Sequence, residues 1–292
     1  MSRTITVGLD GSPESRAAAQ WAAREAGLRG LPVKLVHAWE PIPEHLADAT
    51  HRGTETLQHW TERIPREAAE DLRRRHPGVE VTTEQLSGPA AEALTRVAKD
   101  AELLVLGSRG LGGLGGFVVG SIGFAVVAHT ERPVVLVRAR EEADSARETD
   151  ETRPVVLGLD VGRPDEALIG FAFDAAARRK VPLKVVHGWN PPPYYAYGMA
   201  LEPAVEREMA KGDALMVTEV LRSWRQKFPD VEVVEHSRYG SPSTLLLDAS
   251  KDASLVVVGR RIRRSSVGAH IGPVTHAVLH HATAPVAVVA HD

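Results

Sequence analysis

What most limits the fold of this chain is that it repeats itself. Gly8-Leu9-Asp10 returns as Gly158-Leu159-Asp160, and LPVKLVHAW at 31–39 returns as VPLKVVHGW at 181–189, both displaced by 150 positions. Further along, LLVLGSR at 103–109 returns at 255–261 as LVVVGRR, and HTERPVVLV at 129–137 returns at 281–289 as HATAPVAVV, now displaced by 152. A displacement that holds and then slips by two is the mark of a tandem duplication carrying a small insertion. The 292 residues therefore read as two domains, 1–139 and 154–292, each long enough to bury its own core. Between them, REEADSARETDETR at 140–153 is charged and has no periodic apolar face, so it reads as a linker.

Within the first repeat, short apolar runs alternate with helical stretches. Thr4–Leu9, Val33–Ala38, Val79–Thr83, Leu103–Leu106 and Pro133–Val137 read as strands. Ser12-Pro13 is a helix start, with a capping side chain followed by a proline at the first helical position. Other helices are expected over about 54–76, from Gly88-Pro89 through Val97, and from Gly120 to about His129. Strands alternating with helices imply a parallel sheet covered on both faces.

The stretch with most chemical content is GSRGLGGLGGFVVGSI at 107–122. A buried strand, a glycine-rich loop and a fresh helix N-terminus together favour an anion, because free N–H groups and the positive end of the helix dipole face one point. Gly110–Gly115 also fits G-x-G-x-x-G. That dinucleotide fingerprint belongs after the first strand, with an acid closing the next strand, and here it follows the fourth. A Walker A loop is excluded because no Lys-Ser or Lys-Thr follows the glycines. A plain surface loop of glycines is the bland alternative.

Single residues keep two readings each. Asp10, closing the first strand, can accept a bond from a sugar hydroxyl or cap its own turn. Ser121 can donate to a phosphate or serve as an ordinary N-cap, and Arg109 can pair with phosphate oxygens or stay solvated. His37 and His187 read as packed strand residues. His276 and His280 have helical i, i+4 spacing but no carboxylate to complete a metal set.

Composition closes several doors. A net charge of −3 gives no bulk attraction to nucleic acid or an anionic membrane. The absence of cysteine removes disulfides, thiolate nucleophiles and cysteine zinc sites. No 18-residue apolar run and no signal-peptide core is found, so a cytoplasmic protein is expected.

Gly107-Ser108-Arg109-Gly110, nine residues, then Gly120-Ser121 satisfies the pattern G-x-x-G, nine residues, G-[S/T]. With the GLD turn, the VHAW strand end and the duplication, the chain resembles the universal stress protein family, specifically its tandem-domain members, over nearly its whole length. The resemblance implies two tandem doubly wound α/β domains of the Rossmann-like HUP type. Each would have a parallel five-stranded sheet in the order 3-2-1-4-5, with adenine nucleotide at the switch point between strands 1 and 4.

Carried over by residue, the resemblance places Gly8, Leu9 and Asp10 along the adenosine and Ala38 against the adenine through its backbone. Leu106, Gly107 and Gly110 would follow the ribose and first phosphate, and Gly120, Ser121 and Ile122 would hold the triphosphate. Mg²⁺ would bridge the phosphates of bound ATP, with no protein ligand to the metal.

The second repeat departs from the pattern. Ile262 stands where the second glycine belongs, and Gly272 is followed by Pro273. Proline removes an N–H and brings no hydroxyl, so weak or no ATP binding is expected there, although Arg260, Arg261, Arg263 and Arg264 bring positive charge to the same loop.

The expected function is that of an ATP-binding, nucleotide-responsive stress regulator, with ATP ordering the glycine loop of the first domain. Hydrolysis is expected to be slow or absent, since no positioned general base is visible. The resemblance adds a regulatory protein partner, pseudo-two-fold pairing of the domains through terminal strands, and a homodimer. Two competing readings are a weak ATPase or adenylyl-transfer enzyme, and an interaction or scaffold protein without nucleotide.

Overall fold

The computed structural model describes residues 3–39, 51–108, 120–139, 152–190, 202–262 and 271–292, with the backbone alone at 51–61 and 203. The chain divides into two compact units, Met1–Ala146 and Arg147–Asp292. The stretch read as a linker lies almost wholly outside the described residues.

Unit 1 runs β1 (Thr4–Leu9), α1 (Pro13–Arg29), β2 (Val33–Trp39), α2 (His51–Arg75), β3 (Val81–Ser87), α3 (Ala90–Ala98), β4 (Ala101–Ser108), α4 (Ser121–His129) and β5 (Val134–Arg138). Its strands are all parallel, and their pairings give the order β3-β2-β1-β4-β5. The central strands β1 and β4 are covered on both faces, so Ile5, Val7, Leu103, Leu104 and Val105 are fully buried, and the sequence shows continuous apolar runs instead of alternation.

The edge strand differs. Its residues VTTEQLS are mostly exposed or half-buried, and it spans Val81–Ser87, not Val79–Thr83 as the apolar pattern suggests. Val79 instead sits in the preceding turn, where its N–H donates to the His76 carbonyl at 3.0 Å. Polar alternation on an edge gave too weak a signal to place the strand end.

α1 starts as its sequence predicts: the Ser12 hydroxyl accepts from the Ser15 N–H and Pro13 takes the first helical position. α2 carries Pro65 within its length. Among its described side chains, Pro65, Ala69 and Leu72 are buried, at i, i+4 and i+7, so the proline packs inward on the apolar stripe.

Unit 2 repeats the plan with β6 (Val155–Gly158), α5 (Glu166–Arg179), β7 (Leu183–Trp189), α6 (Pro203–Lys227), β8 (Val233–Tyr239), α7 (Pro242–Ala249), β9 (Leu255–Arg261), α8 (Pro273–His281) and β10 (Val286–His291). Its parallel pairings give β8-β7-β6-β9-β10. β2 and β7 are 150 positions apart and α2 and α6 are 152 apart, so the insertion lies between Trp189 and Pro203.

Candidate functional site

The switch point of unit 1 is the pair β1–β4, where Gly8 faces Leu106 across the register. Strand order reverses here, the place at the carboxyl ends of the strands where open α/β sheets generally bind their ligands. Gly8, Leu9, Leu106 and Gly107 are brought together, with Ala38 one residue beyond His37, the β2 partner of Leu9. Gly120 caps α4, and Ser121 and Ile122 open it. Arg109 and Gly110 lie outside the described residues.

Close packing dictates the glycines. A Cβ on Gly8 would lie 2.5 Å from Leu106 Cδ2 and 3.0 Å from Leu94. On Gly107 it would lie 2.7 Å from the backbone of both Glu14 and Ser15, so β4 ends pressed against the first turn of α1. Because side chains alternate along a strand, Ser108 turns the other way, toward the face that carries α3 and α4.

Ser108 is a residue that sequence reasoning missed. It is buried, and its hydroxyl has no hydrogen-bond partner among the described residues. In the motif it occupies a position open to any residue, so only the structure reveals it. Gly120 supplies no side-chain cap to α4 either. An orphaned hydroxyl and an uncapped helix start on the same face suit an anionic ligand.

Of the two capping readings, the one for Asp10 holds and the one for Ser121 does not. Ser121 is exposed and is the first helical residue of α4, not its cap. Asp10 caps its own turn: Oδ1 accepts from both the N–H and the hydroxyl of Ser12. Leu9 and Asp10 also line a cavity of about 380 Å³ between α1 and α2, together with Arg16, Gln20, Arg63 and Asp71. His37 is a packed strand residue whose Nδ1 donates to the Leu9 carbonyl at 2.8 Å.

In unit 2 a cavity of about 460 Å³ lies over the carboxyl ends of β6, β7 and β9, lined by Asp160, His187, Gly188, Gly259 and the start of α8. Asp160 repeats the turn, with Oδ1 accepting from the Gly162 N–H at 3.1 Å. His187 repeats the histidine bond, Nδ1 donating to the Leu159 carbonyl at 3.0 Å. Its Nε2 makes no hydrogen bond, although Asp213 Oδ1 lies 3.5 Å away. At the other end, Pro273 opens α8 and the Thr275 hydroxyl donates inward to the Gly259 carbonyl at 2.7 Å. Arg260 is buried at the position of Ser108, while Arg263 and Arg264 lie outside the described residues. The His276 and His280 rings pack against each other, tilted by 33° with centroids 4.4 Å apart. Among the described residues no three His, Asp or Glu side chains gather as a metal site.

The model of the universal stress protein family matches the chain twice, over residues 1–138 and 151–290. The chain belongs to the universal stress protein family. A universal stress protein of Mycolicibacterium smegmatis is 34% identical over 295 residues, covering 98% of this chain and 96% of that one. Another, from Mycobacterium tuberculosis, is 32% identical over 302 residues, covering 97% and 94%. The crystal structure of a universal stress protein from Archaeoglobus fulgidus superposes over all of both chains with a TM-score of 0.72 at 16% identity, a likeness of fold. This universal stress protein thus carries the family domain in both halves, one with the full glycine motif and one without it. Among its described residues, no helix is long and apolar enough to cross a membrane.

Proposed function

We propose that this universal stress protein binds ATP in unit 1 and acts as a nucleotide-responsive regulator. The observation that carries the reading is the complete motif, Gly107 to Gly110 and Gly120-Ser121, joining the end of β4 to the start of α4. The packing around it supports the assignment. Gly107 leaves no room for a side chain, the Ser108 hydroxyl is buried without a partner among the described residues, and α4 begins without a side-chain cap.

In this reading Asp10 and the backbone of Ala38 take the adenosine, and Gly107, Ser108 and the first turn of α4 take the phosphates. Bound Mg²⁺ would neutralise part of the triphosphate charge through phosphate oxygens. The reading assigns no hydrolysis step, and ATP acts by being bound. A regulatory protein would then respond to the loaded state.

Thermal unfolding with and without Mg·ATP tests this. A ligand at about 100 times its Kd stabilises the folded state by about 2.7 kcal/mol. The nucleotide should raise Tm in the native chain and fail to do so in Ser121→Pro, which copies the helix start of unit 2. An equal rise in both would remove α4 from the site.

A further inference from the structure

The internal repeat allows the two switch points to be compared position by position, and they differ in a directed way. Gly8, Leu9, Asp10 and Ala38 correspond to Gly158, Leu159, Asp160 and Gly188, and all four of the latter line the unit 2 cavity. The positions assigned to phosphate are the ones that change. Ser121 becomes Pro273, which has no N–H to donate. The hydroxyl of Thr275, two residues on, is buried and already donates to Gly259.

Helix starts differ as well. α1 begins at Pro13, but α5 begins only at Glu166, three residues later in the repeat. The turn that packs against Gly107 is therefore missing at Gly259, and the His291 ring takes part of its place. His291 Nε2 lies 2.6 Å from the point a Cβ on Gly259 would occupy. Asp165, the cap of α5, stands 3.9 Å from His291 Nδ1. Among the residues that line the cavity, Asp160 and Asp165 stand against Arg163 and Arg261. Around Asp160 the walls are apolar, with Leu168, Val186, Leu246 and Val258.

We propose that the unit 2 cavity takes a nucleoside without a polyphosphate tail, so that the two halves of the chain hold different ligands. This rests on the ATP reading of unit 1, from which the base and sugar positions are transferred. The flat base enters between the apolar walls beside Gly188, and Asp160 accepts from the sugar hydroxyls. About 460 Å³ is within the range of small-ligand pockets. The loss of the phosphate end makes the pocket selective, because a triphosphate would give up its hydration without recovering donors.

The test is calorimetric titration of the full chain with adenosine, alone and with ATP already saturating. It uses the native protein, Asp160→Ala, and Val274→Trp, which fills the cavity from a half-buried position. With ATP already saturating unit 1, adenosine should bind once per chain, and about tenfold or more weaker in either variant that melts like the native chain. ATP binding should be unchanged in both variants. No adenosine binding at ~1 mM once ATP is saturating, or insensitivity to both variants, overturns the proposal. So does an ATP site that is lost in Asp160→Ala. Adenosine binding that depends on Asp160 in a chain that takes no ATP overturns the ATP reading alone and supports this one.

Discussion

Gly107 and Ser15 stand so close that a Cβ on the glycine would lie 2.7 Å from the serine backbone nitrogen. The end of β4 is thereby fixed against the first turn of α1, whose start is itself held by Asp10 and Ser12. Gly107→Ala must push strand and helix apart, at about 1–3 kcal/mol by the general cost of overpacking. We expect a lower urea midpoint with an unchanged slope, together with weaker ATP binding. Native stability in this variant would show that the contact is loose.

Lys180 caps α5 in the left-handed region, with φ 54°, at the repeat position where α1 uses Gly30 with φ 64°. A side chain there costs about 1 kcal/mol relative to glycine. Lys180→Gly should therefore raise stability by about that amount. No gain in thermal or urea unfolding would mean that the lysine stem makes compensating contacts.

Glu25 and Arg29 form an ion pair inside α1, with side chains only 2% and 6% exposed. Removing one partner leaves the other charge buried, which typically costs about 3–5 kcal/mol, whereas replacing both by neutral groups costs much less. Arg29→Met should accordingly destabilise more than the double variant Glu25→Gln, Arg29→Met. Equal losses in the single and the double variant would contradict this coupling.

Acid should weaken the fold through two histidines. Burial, with Arg24 and Arg75 nearby, holds His76 below its ordinary pKa near 6.5, against the opposing pull of Asp71. Burial, Arg238 and Lys184 do the same to His236, against Asp248. The unfolded chain binds these protons more readily, so the contribution is full above about 6.5 and is lost as pH falls through the folded values below it. Stability measured between pH 7 and 5 should fall less steeply in His76→Gln, His236→Gln than in the native chain. Parallel slopes would assign the acid sensitivity to other groups.

The fold was largely legible because its strongest signals are covalent and periodic. The repeat displacement is countable, and β1 and β4 are apolar because both faces are buried. β3 was misplaced at its ends because an edge strand need not be apolar. The close backbone approach at Gly107 and the helix start at Ser121 could be read from spacing. Ser108 could not, because its significance lies in a missing partner. The late start of α5 is carried by Asp165, whose side chain caps the helix where Gly162-Arg163 replaces the Ser12-Pro13 start of α1.

The most direct measurement is calorimetric titration of ATP with Mg²⁺ into the native chain and into Gly110→Ala. One ATP per chain, abolished by the substitution, is the result expected of a single working site in unit 1. No heat at ~1 mM ATP, or binding that the substitution leaves unchanged, would contradict it.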